Sequence, residues 1–118
     1  MLRRGDRRAV QQMERGCSMS TIAIRVIVEL RAKPGRRREL EGALEDIVAA
    51  QGPNVVGFLG STRYEVPDEP DLLIEIADWE SAEARQAHME ESAATGAYAP
   101  LIEVLAGPIR ATVIRRLV

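Results

Sequence analysis

The apolar residues of this chain change their spacing at one point, and that change restricts the fold more than any other feature. Ile22, Ile24, Val26, Val28 and Leu30 recur at every second position, with Ala23, Arg25, Ile27 and Glu29 between them. Period two over such a stretch is a strand with one face in a core. After the break at Lys33-Pro34-Gly35, Leu40, Ala43, Leu44, Ile47 and Val48 recur at i, i+3, i+4, i+7 and i+8. That spacing is one stripe of an amphipathic helix. Arg36, Arg37 and Arg38 fall in its solvated first turn, where Arg37 is placed to pair with Glu41.

The same switch happens again downstream. Gly52-Pro53 ends the helix, and Val55 to Val66 reads as a long strand with bend points at Gly57 and Gly60. Without a bulge, Phe58, Thr62, Tyr64 and Val66 share a face. Pro67 to Asp71 reads as a loop, and Leu72 to Ala77 as a third strand. Ser81 is the expected N-cap of a helix reaching about Ser92, with Glu83 in its first turn. Thr95-Gly96 interrupts, and a short helix to Ala106 stops at Gly107-Pro108. Ile109 to Leu117 alternates as a last strand. Strand, helix, strand, strand, broken helix, strand predicts an α+β, ferredoxin-like βαββαβ sandwich with an antiparallel sheet. Helices then cover one face. The other keeps Ile27, Leu59 or Val55, and Ile114 or Val113, which a homodimer packed sheet to sheet would bury.

Composition narrows the function classes. At 118 residues the chain has the length of one domain, and 46% apolar content supports a core. Only Phe58, Tyr64, Trp79 and Tyr98 are aromatic, too few for a base-stacking platform. The first 19 residues carry five Arg against Asp6 and Glu14, a balance of +3, and the remainder carries −5. We expect residues 1–19 to be a leader outside the fold and 20–118 to be the domain. An acidic domain does not suit nucleic acid. Cys17 stands alone, so neither an intramolecular disulfide nor a cysteine metal site is expected. No apolar run has membrane-spanning length, and the basic start lacks the apolar segment of a secretory signal, which makes a cytoplasmic protein the expectation.

Candidate site residues gather late in the chain. Trp79, His88 and Tyr98 lie within 20 positions and include the only Trp and the only His. His88 is the candidate base or hydrogen-bond partner of an aromatic hydroxyl, its ordinary pKa being close to neutral. Tyr64, Trp79 and Tyr98 are candidate substrate-binding residues. Glu75, flanked by Ile74 and Ile76, is expected in a structural ion pair with Arg25, Arg63 or Arg115 across the sheet. One His and a lone Cys do not suffice for a metal site. No glycine fingerprint for a dinucleotide or triphosphate is present.

Three stretches carry a family resemblance over residues 21–118. They are Val28-Glu29-Leu30-Arg31-Ala32-Lys33-Pro34-Gly35 before the first helix, Ile74-Glu75-Ile76-Ala77-Asp78-Trp79-Glu80-Ser81 with Ala87-His88 after it, and Leu105-Ala106-Gly107-Pro108 before the last strand. In these the chain resembles the antibiotic biosynthesis monooxygenase family of small dimeric α/β barrels. The group contains cofactor-independent quinol oxygenases, haem-degrading enzymes, a sugar isomerase and proteins without known activity. The resemblance implies a homodimer and an oxygenase of a small aromatic phenol or quinol that uses no cofactor. It leaves two alternatives: a non-catalytic, ligand-binding or stress-related barrel, and a non-oxidative isomerase of small oxygenated metabolites. The chain departs from the family pattern in having Ala93 where many members have a second His. Arg25 and Ile27 occupy the first-strand stretch where the haem-degrading branch has Asn, so haem binding is not carried over.

Overall fold

The computed structural model describes residues 22–51 and 54–117; the expected leader lies outside them. Seven elements follow one another: β1 (Ile24–Arg31), α1 (Arg37–Gln51), β2 (Phe58–Val66), β3 (Glu69–Trp79), α2 (Ala82–Thr95), α3 (Ala99–Ile102) and β4 (Arg110–Ile114). The strands form one antiparallel sheet in the order β2-β3-β1-β4, the ferredoxin-like arrangement expected from the sequence. The second strand starts later than its apolar pattern suggests, and the last one is shorter at both ends. The expected loop at 67–71 is mostly strand, because β3 pairs with β2 back to Glu69. Asp71 secures the neighbouring turn: its carboxylate accepts the Gly35 N–H at 3.0 Å and its carbonyl the Ala32 N–H at 2.8 Å.

Register assigns every strand residue to a face. Ile24 pairs with Trp79, Val26 with Ala77, Val28 with Glu75 and Leu30 with Leu73. These residues face the helices, and Ala111 and Val113 join them from β4. The outer face carries Arg25, Ile27, Glu29, Ile74, Ile76, Asp78 and Ile114, with Arg25 Nε bonded to Asp78 at 2.7 Å.

One irregularity corrects the expected face of β2. Phe58 pairs with Trp79 but Gly60, not Leu59, pairs with Asp78. Leu59 is a bulge, and Gly60 at φ 130 supplies a backbone conformation that side chains resist. Because side chains alternate, one extra residue moves everything after it to the opposite face. Phe58 therefore points toward the helices, while Thr62 and Tyr64 point away.

The core is divided. One cluster joins Leu30, Ala32, Leu40, Leu44, Leu73, Leu101, Val104 and Leu105. The other joins Ile24, Val26, Ala77 and Trp79, with Phe58, Ala84 and Met89 against it. Val28 touches both. Helix α1 supplies Leu40 and Leu44 to the first cluster, whereas the only fully buried residue of α2 is Ser92. Helix α2 is held instead by its ends: Ser81 Oγ accepts the Ala84 N–H at 3.1 Å, and Gly96 closes the helix in the left-handed conformation.

Two glycines test this description in opposite directions. At Gly57, with φ +85, an added Cβ would lie 2.5 Å from the Ala84 Cβ of α2. Gly57→Ala combines overpacking with backbone strain and should cost about 1–3 kcal/mol. Gly42 lies inside α1 with open space around it, so Gly42→Ala should stabilise by about 0.5–1 kcal/mol. Urea unfolding of the two variants measures both signs.

Candidate functional site

The space between the two core clusters is a cavity of about 150 Å³. Its floor is the inner sheet face at Val26, Val28, Glu75, Ala77 and Ala111, where small side chains leave room. Leu44, Ile47, Val48 and Gln51 of α1 cover one side, and Arg85, His88 and Met89 of α2 the other. Phe58 and Trp79 close one end edge to face, with ring centroids 5.2 Å apart. Tyr98 and Leu101 also line it.

Three of the four candidate residues come together here. His88 lies with its ring centroid 5.6 Å from that of Trp79. Its Nε2 is 3.4 Å from Tyr98 Oη and 3.4 Å from Ser92 Oγ, so two hydroxyls meet one imidazole nitrogen. Tyr98 reaches the cavity because it sits just beyond Gly96, which turns the chain back from α2 into α3. Tyr64 is not part of the group. The Leu59 bulge places it on the outer face of the sheet, about half exposed.

Glu75 is the residue that strand alternation alone would have placed here, since it shares a face with Leu73 and Ala77. The expected cross-sheet ion pair is absent among the described residues, Arg25 being engaged with Asp78 on the other face. Arg85 and Gln51 also line the cavity unforeseen, although Arg85 stands one helical turn before His88.

Burial pushes three groups of the cavity, His88, Glu75 and Tyr98, toward their neutral forms. It lowers the His88 pKa, opposed by Glu91. It raises that of Glu75, opposed by the Ser61 hydroxyl and Arg63. It also raises that of Tyr98; the Ser92 hydroxyl opposes this, Glu75 adds to it and Arg85 opposes it. At neutral pH the imidazole is thus an uncharged acceptor or donor beside a neutral phenol. Among the described residues, no three His, Cys, Asp or Glu side chains are grouped to hold a metal ion, and no helix is long and apolar enough to cross a membrane.

The sequence profile described as antibiotic biosynthesis monooxygenase matches residues 23–99. The chain belongs to that family. Solved structures share its fold at low identity. A conserved protein from Methanosarcina mazei Go1 is 18% identical, with a TM-score of 0.70 over 82% of this chain and 95% of that one. Rv0793 from Mycobacterium tuberculosis is 22% identical, with a TM-score of 0.66 over 80% and 95%. SnoaB from Streptomyces nogalater, described as a cofactor-independent oxygenase, is 15% identical, with a TM-score of 0.67 over 80% and 92%. No curated protein matches the chain.

The sole histidine makes the site's electrostatics directly measurable. A value below the ordinary 6.5 means that the folded protein binds fewer protons than the unfolded chain between those two points. His88 therefore contributes stability that is full above 6.5 and is lost as the pH falls through the folded value. The single imidazole signal in an NMR titration should have its midpoint below 6.5, and Glu91→Gln should lower it further. A midpoint above 6.5 would contradict the burial of His88.

Proposed function

We propose that this protein is a monooxygenase of small, single-ring phenols or quinols, with His88 as base and Trp79 and Tyr98 as substrate-binding residues. The observation that carries the reading is a ring-sized apolar cavity with a neutral imidazole in its wall. A dry cavity of about 150 Å³ is known to hold benzene, which matches the volume between the two core clusters.

The chain's residues have simple tasks in this reaction. Phe58 and Trp79 give the ring an aromatic wall, and Val26, Val28, Ala77 and Ala111 give it an aliphatic surface. His88 accepts the phenol proton, directly or across the Tyr98 hydroxyl. A phenolate left in apolar surroundings is poorly solvated and electron-rich, and it passes electrons to dioxygen without an added redox group. The family membership and the cofactor-independent oxygenase among the fold relatives support the same reading.

Oxygen uptake with a panel of single-ring phenols and hydroquinones tests it. The wild type should turn over, and His88→Ala should be slower by about a hundredfold or more. Because Trp79 is the only tryptophan, binding of an unreactive phenol should also change its emission. Neither uptake nor an emission change with any member of the panel would end the proposal; binding without uptake would favour a ligand-binding protein.

We further propose that the working form is a homodimer joined through the outer sheet face. Ile27, Ile74 and Ile76 lie half-buried there beside exposed Tyr64 and Ile114, an apolar surface without a cover among the described residues. Sedimentation at micromolar concentration should return twice the 13.0 kDa chain mass, and Ile76→Arg should return the single mass.

A further inference from the structure

Oxygenation of a phenol to a quinone needs proton transfers at two different atoms. One proton leaves the hydroxyl oxygen. The other leaves the ring carbon to which oxygen adds. His88 serves the first, and its place in the wall is fixed by Trp79, Ser92 and Tyr98.

The cavity holds a second group suited to the other transfer. Glu75 is the only carboxylate among the described residues that line it. It stands on the floor, opposite Val28 of β1 and Arg63 of β2, with Leu73 and Ala77 as its inward neighbours along β3. Along β3, Glu75 is four residues from Trp79, roughly 13 Å at ordinary strand rise. His88 packs at the Trp79 end, and both groups line the same cavity. Tyr98, 3.4 Å from His88, is also within the electrostatic reach of Glu75. Among the described residues no ion pair within 4 Å holds this carboxylate; its polar neighbours are the Ser61 hydroxyl and Arg63 of β2.

We propose that Glu75 is a second catalytic residue, the base that removes the ring-carbon proton after oxygen has added. The proposal rests on the monooxygenase reading above. His88 first takes the hydroxyl proton. A C–O bond then forms between the phenolate ring and dioxygen, and His88 returns its proton to the resulting peroxide. The carbon still carries its hydrogen. Glu75 removes it as a proton, the C–H electron pair becomes the second bond to oxygen, and the O–O bond breaks to release hydroxide. Glu75 gives its proton to that hydroxide, forming water. The substrate loses four electrons and dioxygen gains four; one oxygen atom stays in the quinone and the other leaves in water. Both residues return to their starting forms. Burial, which raises the Glu75 pKa, suits a group that must accept a proton and then release it.

The test compares wild type, Glu75→Gln and Glu75→Asp on a phenol found active with the wild type, with and without deuterium on the ring. Glu75→Gln should lower kcat by about a hundredfold. Its kcat should acquire a clear ring-deuterium isotope effect, larger than that of the wild type, because the C–H step becomes limiting. Binding of an unreactive phenol, read from Trp79 emission, should stay unchanged. Glu75→Asp keeps the carboxylate at a different reach, and it should show a smaller loss with a raised isotope effect. Wild-type turnover in Glu75→Gln, or a loss without a change in isotope effect in both variants, would overturn the role of Glu75 while leaving His88 in place. A wild type inactive on every phenol would overturn the reaction itself.

Discussion

Everything distinctive about this protein depends on a core that its second helix does not fill. Helix α1 inserts Leu40 and Leu44 into the sheet and completes one close-packed cluster. Helix α2 presents Ala84, Arg85, His88, Met89 and Ser92 instead, and of these only Ala84 and Met89 pack against the cluster that contains Ala77. Protein interiors close up to crystal-like density when side chains allow it. Here small residues below and polar residues above keep a space of about 150 Å³ open. The capping of α2 by Ser81 and Gly96 matters for the same reason: a helix without large apolar anchors depends more on its ends.

That hollow also determines the chemistry of its walls. A titratable group beside apolar side chains loses hydration, and its neutral form gains. His88, Glu75 and Tyr98 all respond in that direction, each opposed by a named neighbour. His88 and Glu75 are thereby brought closer together in proton affinity than in water, which suits acid–base chemistry, while Tyr98 is held more firmly as the neutral phenol. The salt bridges, in contrast, lie outside. Arg25 with Asp78, Arg31 with Glu69 and Arg36 with Glu39 are solvent-exposed, and each contributes little. They tie strands and turns together and leave the cavity untouched.

How far the site could be read in advance depended on the kind of signal. Helix α3 already ends at Ile102, short of Gly107-Pro108, but Ser81 and Thr95-Gly96 are local features with local consequences, and they mark the ends of α2 as expected. The Arg37–Glu41 pair, at 2.9 Å, is another. His88, Trp79 and Tyr98 were legible because they are rare residue types close together in the chain. Tyr64 was a different matter. Its face depends on whether Leu59 is counted in the alternation, and a glycine at position 60 permits a bulge without requiring one. Glu75 was legible as an inward residue but not as a cavity residue, since nothing local says whether a neighbouring helix will cover it.

The sequence by itself determined the order of strands and helices and the face of β1 and β3 that enters the core. These follow from the spacing of apolar residues and from turn residues, and both act over a few positions. Tertiary structure alone decided that Leu59 bulges, that Tyr64 therefore leaves the site, and that Glu75 and Arg85 enter it. It alone decided that two core clusters stop short of each other. Such outcomes depend on the pairing of β2 with β3 and on the fit of α2 over the sheet. Contacts between residues far apart in the chain set both, and no short stretch of sequence contains them.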